Sequence, residues 1–124
     1  MKKTILIVDD EAEVVRLTAD VLAKRGFNVL SVVSGEAALE AVARQKPDLI
    51  IIDYRLPGEN GDVIVHRWKS AESTQKIPVL MCTAQALMKT PTGGNPRLLK
   101  PDDYLIKPFE IEQLLDKIRL LLRR

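Results

Sequence analysis

Leu49-Ile-Ile-Ile-Asp-Tyr-Arg-Leu-Pro-Gly-Glu-Asn-Gly61 is the stretch on which the reading of this chain turns. Four branched apolar residues lead without interruption to one carboxylate, Asp53, and the chain then breaks into a Pro-Gly-Glu-Asn-Gly turn cluster. A short unbroken apolar run fits a strand covered on both faces, as in a parallel sheet; a half-exposed strand would alternate. Ligands gather at the carboxyl ends of strands in open α/β sheets, which places Asp53 as a reacting group. Taken alone, it is also the kind of strand-ending aspartate that bonds the turn behind it.

Runs of the same kind recur on either side. Thr4–Val8, Asn28–Val32, Ile77–Cys82 with Pro78 near its start, and Tyr104–Ile106 read as further short strands. Between them, Ala12–Arg25 carries Val14, Leu17, Val21 and Leu22 at helical spacing and stops at Gly26. Ser34 caps a helix bearing Ala38, Leu39 and Val42, and Gly61–Ser70 sets Ile64, Val65 and Trp68 on one face. The closing helix, Glu110–Arg123, holds Ile111, Leu114, Leu115, Ile118, Leu121 and Leu122 in register, with acids early and bases late. This alternation predicts an α/β fold: a doubly wound, five-stranded parallel sheet between helices. One interval breaks the pattern. Between Ala84 and Asp103, five breakers (Pro91, Gly93, Gly94, Pro96 and Pro101) fall where a fourth helix is due, so that helix is expected to be irregular or shortened. A helical turn from Gln85 to Lys89 is expected, with Leu87 to Asp102 mostly irregular and mobile.

The 124 residues match one ordinary domain, so residues 1–124 are read as a single unit. Apolar residues make up 46% and charged residues 29%, and no apolar run is long enough to span a bilayer. The basic opening Met-Lys-Lys-Thr meets Asp9, Asp10 and Glu11 after only four apolar residues, too short and acidic a run for a signal peptide. The lone Cys82 excludes an internal disulfide and fits a reducing, cytoplasmic location. A net charge of +2 with scattered basic residues leaves no footprint for direct nucleic-acid binding, and no membrane association is expected.

The strand ends carry the chemistry. Asp9 and Asp10 follow the first strand, Asp53 the third, Thr83 the fourth and Lys107 the fifth, all on one edge of a parallel sheet. Three crowded carboxylates repel unless a cation joins them, and oxygen-only donors call for Mg²⁺, with Mn²⁺ as a substitute. A hydroxyl and an ammonium opposite them complement a tetrahedral dianion. The implied reaction is phosphoryl transfer: a carboxylate oxygen of Asp53 attacks phosphorus, the metal and Lys107 neutralise charge, and Thr83 donates a hydrogen bond. No general base is needed, because an ionised carboxylate has no proton to lose.

With Ile-Val-Asp-Asp-Glu at 7–11, Asp53 in its motif, Pro-Val-Leu-Met-Cys-Thr-Ala at 78–84 and Tyr-Leu-Ile-Lys-Pro-Phe at 104–109, the chain resembles the receiver domain of two-component response regulators. Ser-Gly-Glu-Ala-Ala-Leu at 34–39 resembles the family's second helix, and the likeness spans nearly the whole chain. The resemblance implies a flavodoxin-like strand order 2-1-3-4-5 and Asp53 as phosphoacceptor. It further implies a metal held by Asp9, Asp10, Asp53 and the backbone carbonyl of Arg55. Thr83 and Tyr104 become the switch pair, Lys107 the phosphoryl partner, and the Lys107-Pro108 bond cis. It implies a sensor histidine kinase or phosphotransfer protein as donor, and a downstream effector protein or domain that the sequence does not specify. Arg55 and Gln85 occupy the positions that flank the hydrolytic water in the family; neither is a carboxylate, which implies slow self-dephosphorylation. The chain departs from the family where Thr83 and Lys107 stand 107 − 83 = 24 positions apart, more than is usual.

Two other readings compete. A Mg²⁺-dependent phosphohydrolase of the haloacid dehalogenase type also uses a strand-ending aspartate, but needs an acid two residues later, where this chain has Arg55. A receiver that only binds partners without being phosphorylated is the other. Among residues outside the constellation, His66 reads as a surface histidine, Trp68 as core, Cys82 as buried packing and Tyr54 as lining the mouth of the site.

Overall fold

β3, Leu49–Asp53, lies at the centre of a five-stranded parallel sheet, and all five of its residues are buried. The computed structural model describes residues 2–84 and 97–123. Around β3 stand β1 (Thr4–Val8), β2 (Asn28–Val32), β4 (Val79–Ala84) and β5 (Asp103–Lys107), in the order β2-β1-β3-β4-β5. The helices among the described residues are α1 (Ala12–Lys24), α2 (Gly35–Arg44), α3 (Gly61–Ser70) and α4 (Ile111–Leu122). The strand order is the expected one.

Alternate residues of each strand point to opposite faces, so β3 feeds two cores. Leu49 and Ile51 join Ile5, Ile7 and Leu80 under Leu22 of α1 and Leu114, Leu115 and Ile118 of α4. Ile50 and Ile52 join Leu6, Val8 and Met81 under Ala38 and Val42 of α2 and Ile64, Val65 and Trp68 of α3. Each apolar residue of the quoted stretch thus has a helix to bury against, which is why the run is unbroken. Edge strand β2 is exposed at Asn28, Leu30 and Ser31 instead. The helix boundaries are set locally. Ser34 Oγ accepts a hydrogen bond from the Ala37 amide, Gly26 takes a positive φ of 93° after α1, and Glu110 and Gln113 cap α4 reciprocally.

Three local readings are revised. β4 begins two residues later than the apolar run, because Pro78 has no amide to give the ladder and contributes only its carbonyl, to Ile50 N at 3.0 Å. β5 gains a residue at each end. α1 is rotated relative to its apolar pattern: Leu17 is 64% exposed, and the inward stripe is Val15, Thr18, Ala19 and Leu22, with Thr18 and Leu22 buried and the other two partly so. That stripe has ideal helical spacing, but a pattern built on large apolar residues passes over its threonine and alanine. Of the interval read as irregular, residues 85–96 lie outside the described residues, together with the expected helical turn from Gln85 to Lys89. Residues 97–102 carry neither helix nor strand.

The rotation of α1 has a measurable consequence. Leu22→Ala should cost about 2–5 kcal/mol in urea unfolding, as for a fully buried leucine, whereas Leu17→Ala should stay within about 0.5 kcal/mol. A cost for Leu17→Ala matching that for Leu22→Ala would restore the orientation read from the apolar pattern.

Candidate functional site

The carboxyl edge of the sheet gathers four of the predicted residues. Asp9 leaves β1 with its amide bonded to Val32 O at 3.1 Å, and its Oδ1 accepts the Glu11 amide at 2.9 Å. This small turn fixes the Asp9 carboxylate over the start of α1. Asp53 ends β3 with its side chain only 10% exposed. Carboxylate oxygens of Asp9, Asp10 and Asp53 all lie within 4.8 Å of one another. Lys107, at the end of β5, reaches across with Nζ 3.1 Å from Asp9 Oδ2 and 3.3 Å from Asp53 Oδ1. Beside them opens a cleft of about 510 Å³, with Tyr54, Arg55 and Pro57 on one wall and Ala84 on another.

The electrostatics follow from the geometry. Burial pushes the Asp53 carboxyl up from its ordinary value; Lys107 pulls it back, while Asp9 and Glu11 reinforce the rise. For Lys107, burial opposes the charged form, but Asp53 and Asp9 outweigh it and hold the ammonium above the usual lysine range. Cys82, level with Asp53 on the neighbouring strand, is pushed by burial up to about 12, so it is a packed thiol and no nucleophile at neutral pH. Three acidic oxygen donors and one ammonium leave an excess of negative charge. The group can hold a hard divalent cation, which fits its all-oxygen chemistry.

The other predicted residues are placed differently. Thr83 is 3% exposed, near the end of β4 and in register with Ile106 of β5. Tyr104 packs, half-buried, against the α2–α3 side of the core; burial first and then Asp62 push its hydroxyl upward. Arg55 is exposed on the cleft wall. Gln85 lies outside the described residues. The Lys107-Pro108 bond is cis, Tyr54 lines the mouth, and Trp68 is core.

Sequence reasoning missed three features. Glu11 Oε1 lies 3.5 Å from Lys107 Nζ, making it a further acid on the same ammonium; its place two residues after Asp9 was the available signal. His66 is half-buried and bonded rather than a plain surface residue: its Nδ1 accepts the Leu99 amide at 2.9 Å. Gly61 donates its amide to Tyr54 O at 2.6 Å, and a Cβ there would strike the backbone carbonyl of Asp53. The first residue of α3 is therefore seated against the strand end that carries Asp53, and only glycine fits.

Comparison with known proteins agrees with this geometry. The family model described as response regulator receiver domain matches residues 5–119. The chain is 37% identical over 122 residues to the phosphate regulon transcriptional regulatory protein PhoB of Pseudomonas aeruginosa, covering 98% of this chain and 52% of that protein. It is 38% identical over 126 residues to the DNA-binding response regulator MtrA of Mycobacterium tuberculosis, covering 100% and 52%. The chain thus spans about half the length of the curated relatives it matches. A crystal structure of a putative response regulator from Chloroflexus aurantiacus superposes with a TM-score of 0.87 at 34% identity, over 100% of both chains. The chemotaxis response regulator CheY4 of Vibrio cholerae shares the fold at TM-score 0.88 and 24% identity, over 98% of this chain and 99% of that one.

Gly61→Ala should destabilise the protein by about 1–3 kcal/mol or more, because the obstacle is backbone that cannot rotate away. The helix-propensity gain of alanine, about 1 kcal/mol, works the other way and is smaller. Urea unfolding measures the balance; a stabilised variant would refute the close seating of α3 on Asp53.

Proposed function

The chain belongs to the response regulator receiver domain family of two-component signalling, and from that premise we propose that Asp53 accepts a phosphoryl group in a Mg²⁺-dependent reaction. The observation that carries the proposal is the junction of three carboxylates with the Lys107 ammonium at the carboxyl edge of the sheet. Asp9, Asp10 and Asp53 would hold the cation, with the backbone carbonyl of Arg55 as a further donor. When bound, Mg²⁺ (or Mn²⁺) supplies charge neutralisation for the transferring group and for the crowded acids. An oxygen of ionised Asp53 forms the bond to phosphorus as the bond to the donor's leaving group breaks. Lys107 exchanges its carboxylate partners for phosphoryl oxygens, and the Thr83 hydroxyl donates to the same group. A sensor histidine kinase or phosphotransfer protein is the proposed donor.

The product carries about −1.5 to −2 charges at Asp53. Thr83 drawn toward it, with Tyr104 repositioned behind, would change the surface offered to an effector protein or domain. The chain acts as a switch that is consumed and reset, not as an enzyme with turnover on an external substrate. Residues 1–124 are proposed to be one receiver unit, in the cytoplasm, where the buried Cys82 thiol is at home; no described helix is long and apolar enough to cross a membrane. Neither competing reading is favoured. Arg55 cannot serve as the acid/base that a haloacid dehalogenase-type phosphohydrolase requires, and a purely binding receiver would have no use for two buried carboxylates, Asp9 and Asp53, crowded against a third.

Two outcomes test the site. Incubated with acetyl phosphate and Mg²⁺, the wild type should gain one phosphoryl group by intact mass, and Asp53→Asn none; equal labelling of both would place the acceptor elsewhere. Arg55, exposed on the cleft wall and positively charged, should shield the phosphoryl oxygens, and Gln85 is proposed to add no carboxylate able to polarise water. Arg55→Ala should therefore dephosphorylate about threefold faster, the scale of one partly exposed charge contact of about 0.6 kcal/mol. Decay that is unchanged or slower would remove the shielding role.

A further inference from the structure

β5 is an edge strand with little of its own to fix where it pairs. Of its five residues only Leu105 is buried, and a strand so weakly marked by its hydrophobic pattern specifies its register poorly. A tight turn would fix register by its length, but the crossover from Ala84 to Asp103 is far longer than a turn. Yet the register decides the site. Asp53, Cys82 and Leu105 stand level across β3, β4 and β5, and Lys107 lies two residues beyond Leu105, on the same face of the sheet. A slip of one residue turns that face over and puts Ile106 or Pro108 where Lys107 belongs, and neither carries a charge to meet Asp53 and Asp9.

The start of the strand, about 16 Å from Lys107 at the ordinary rise per residue, carries a restraint that the strand itself lacks. Asp102, the residue before β5, faces Val79, the first residue of β4. Its amide donates to Val79 O at 2.9 Å, and its Oδ2 accepts the Val79 amide at 2.7 Å. The Lys69 ammonium, near the end of α3, donates to the same Oδ2 at 2.7 Å, to Ile77 O at 2.8 Å and to Gln75 O at 3.2 Å. Its three N–H groups thus meet three acceptors, one on the approach to β5 and two on the approach to β4. The side chains of Lys69 and Asp102 are only 11% and 19% exposed. A slip would part a mostly buried ammonium from a mostly buried carboxylate and take an acceptor from the Val79 amide, so one register alone keeps all three groups paired. The Lys117–Asp103 pair, one residue on, is about a third exposed on both sides and contributes far less.

We propose that Lys69 is a positioning residue: by holding Asp102 against Val79 it sets β5 in register on β4, and so brings Lys107 to Asp53 and Asp9 from the far end of the strand. The consequence for phosphoryl acceptance rests on the acceptor reading of Asp53.

In the ligand-free full chain with chelator, the NMR signal of Lys107 Cε, assigned by its loss in Lys107→Arg, reads the position of the ammonium. Lys69→Met should shift that signal. It should also speed exchange of the β5 amides bonded to β4 by about tenfold, the fold-change of a lost charge-assisted hydrogen bond, while β1 and β3 keep their protection. Lys117→Met should leave both readings as in wild type. Asp102→Asn keeps an oxygen for the Val79 amide and removes only the charge; it should give the same changes at smaller amplitude, and it decides the matter if Lys69→Met does not fold. With beryllofluoride as the phosphoryl probe, Lys69→Met should bind about tenfold more weakly at saturating Mg²⁺. It should bind Mg²⁺ itself no more weakly, because Asp9, Asp10 and Asp53 are carried by the ends of β1 and β3. In a Lys107→Met background the Lys69 substitution should have no further effect on the probe. A loss that persists there, or that falls equally on Mg²⁺, would overturn the positioning role. An unmoved Lys107 signal with β5 protection intact would overturn the register claim. A wild type that takes up no beryllofluoride would count against the Asp53 reading instead, and the ligand-free comparison would still decide the register.

Discussion

Three carboxylates held within 4.8 Å of one another against a single ammonium are the constraint on which the rest of this structure depends. At an effective dielectric constant of about 20, two like charges 4 Å apart repel by about 4 kcal/mol. The Lys107 ammonium offsets part of that, while burial first, and then Asp9 and Glu11, push the Asp53 carboxyl above its ordinary value. Such a cluster is unfavourable for stability taken by itself. A divalent cation would offset that repulsion, and in the proposed function the site would then receive the charge of a phosphoryl group. The cost of the arrangement and its use are one feature.

The fold exists to hold those charges level. Only an all-parallel sheet delivers the ends of β1, β3, β4 and β5 to one edge, and a parallel sheet must be covered on both faces. The unbroken Leu49–Ile52 run meets that demand, feeding the α1–α4 core with two residues and the α2–α3 core with the other two. At Asp53 the packing is closer still: with no side chain at Gly61, α3 starts directly on the carbonyl of Asp53. The opposite end of the same helix holds the chain entering β5 through Lys69 and Asp102. α3 therefore touches both the strand that ends in Asp53 and the segment that leads to Lys107.

Asp9, Asp10, Asp53 and Lys107 were legible in the sequence because strand ends in a parallel sheet share an edge by topology alone, so four local readings add up to one long-range site. What stayed illegible depends on side-chain reach. His66 meets an amide 33 residues on, and Lys69 meets a carboxylate 33 residues on; no periodicity encodes such pairs. The inward face of α1 escapes a pattern of large apolar residues because Thr18 and Ala19 fill it, and small and polar residues pack there as well. The apolar run overstates the start of β4 because Ile77 and Pro78 are apolar without belonging to the strand.

The dependence of this charge cluster on a cation is most directly measured by urea unfolding at neutral pH with Mg²⁺ and with chelator. Binding to the folded state alone stabilises by RT ln(1 + [L]/Kd), about 2.7 kcal/mol at a hundredfold excess over Kd. Wild type should gain saturable stability of that order from Mg²⁺. Asp53→Asn, with one repelling charge removed, should be the more stable protein in chelator and should gain less. A wild type indifferent to Mg²⁺, or an Asp53→Asn variant that is less stable without it and gains as much from it, would contradict the account.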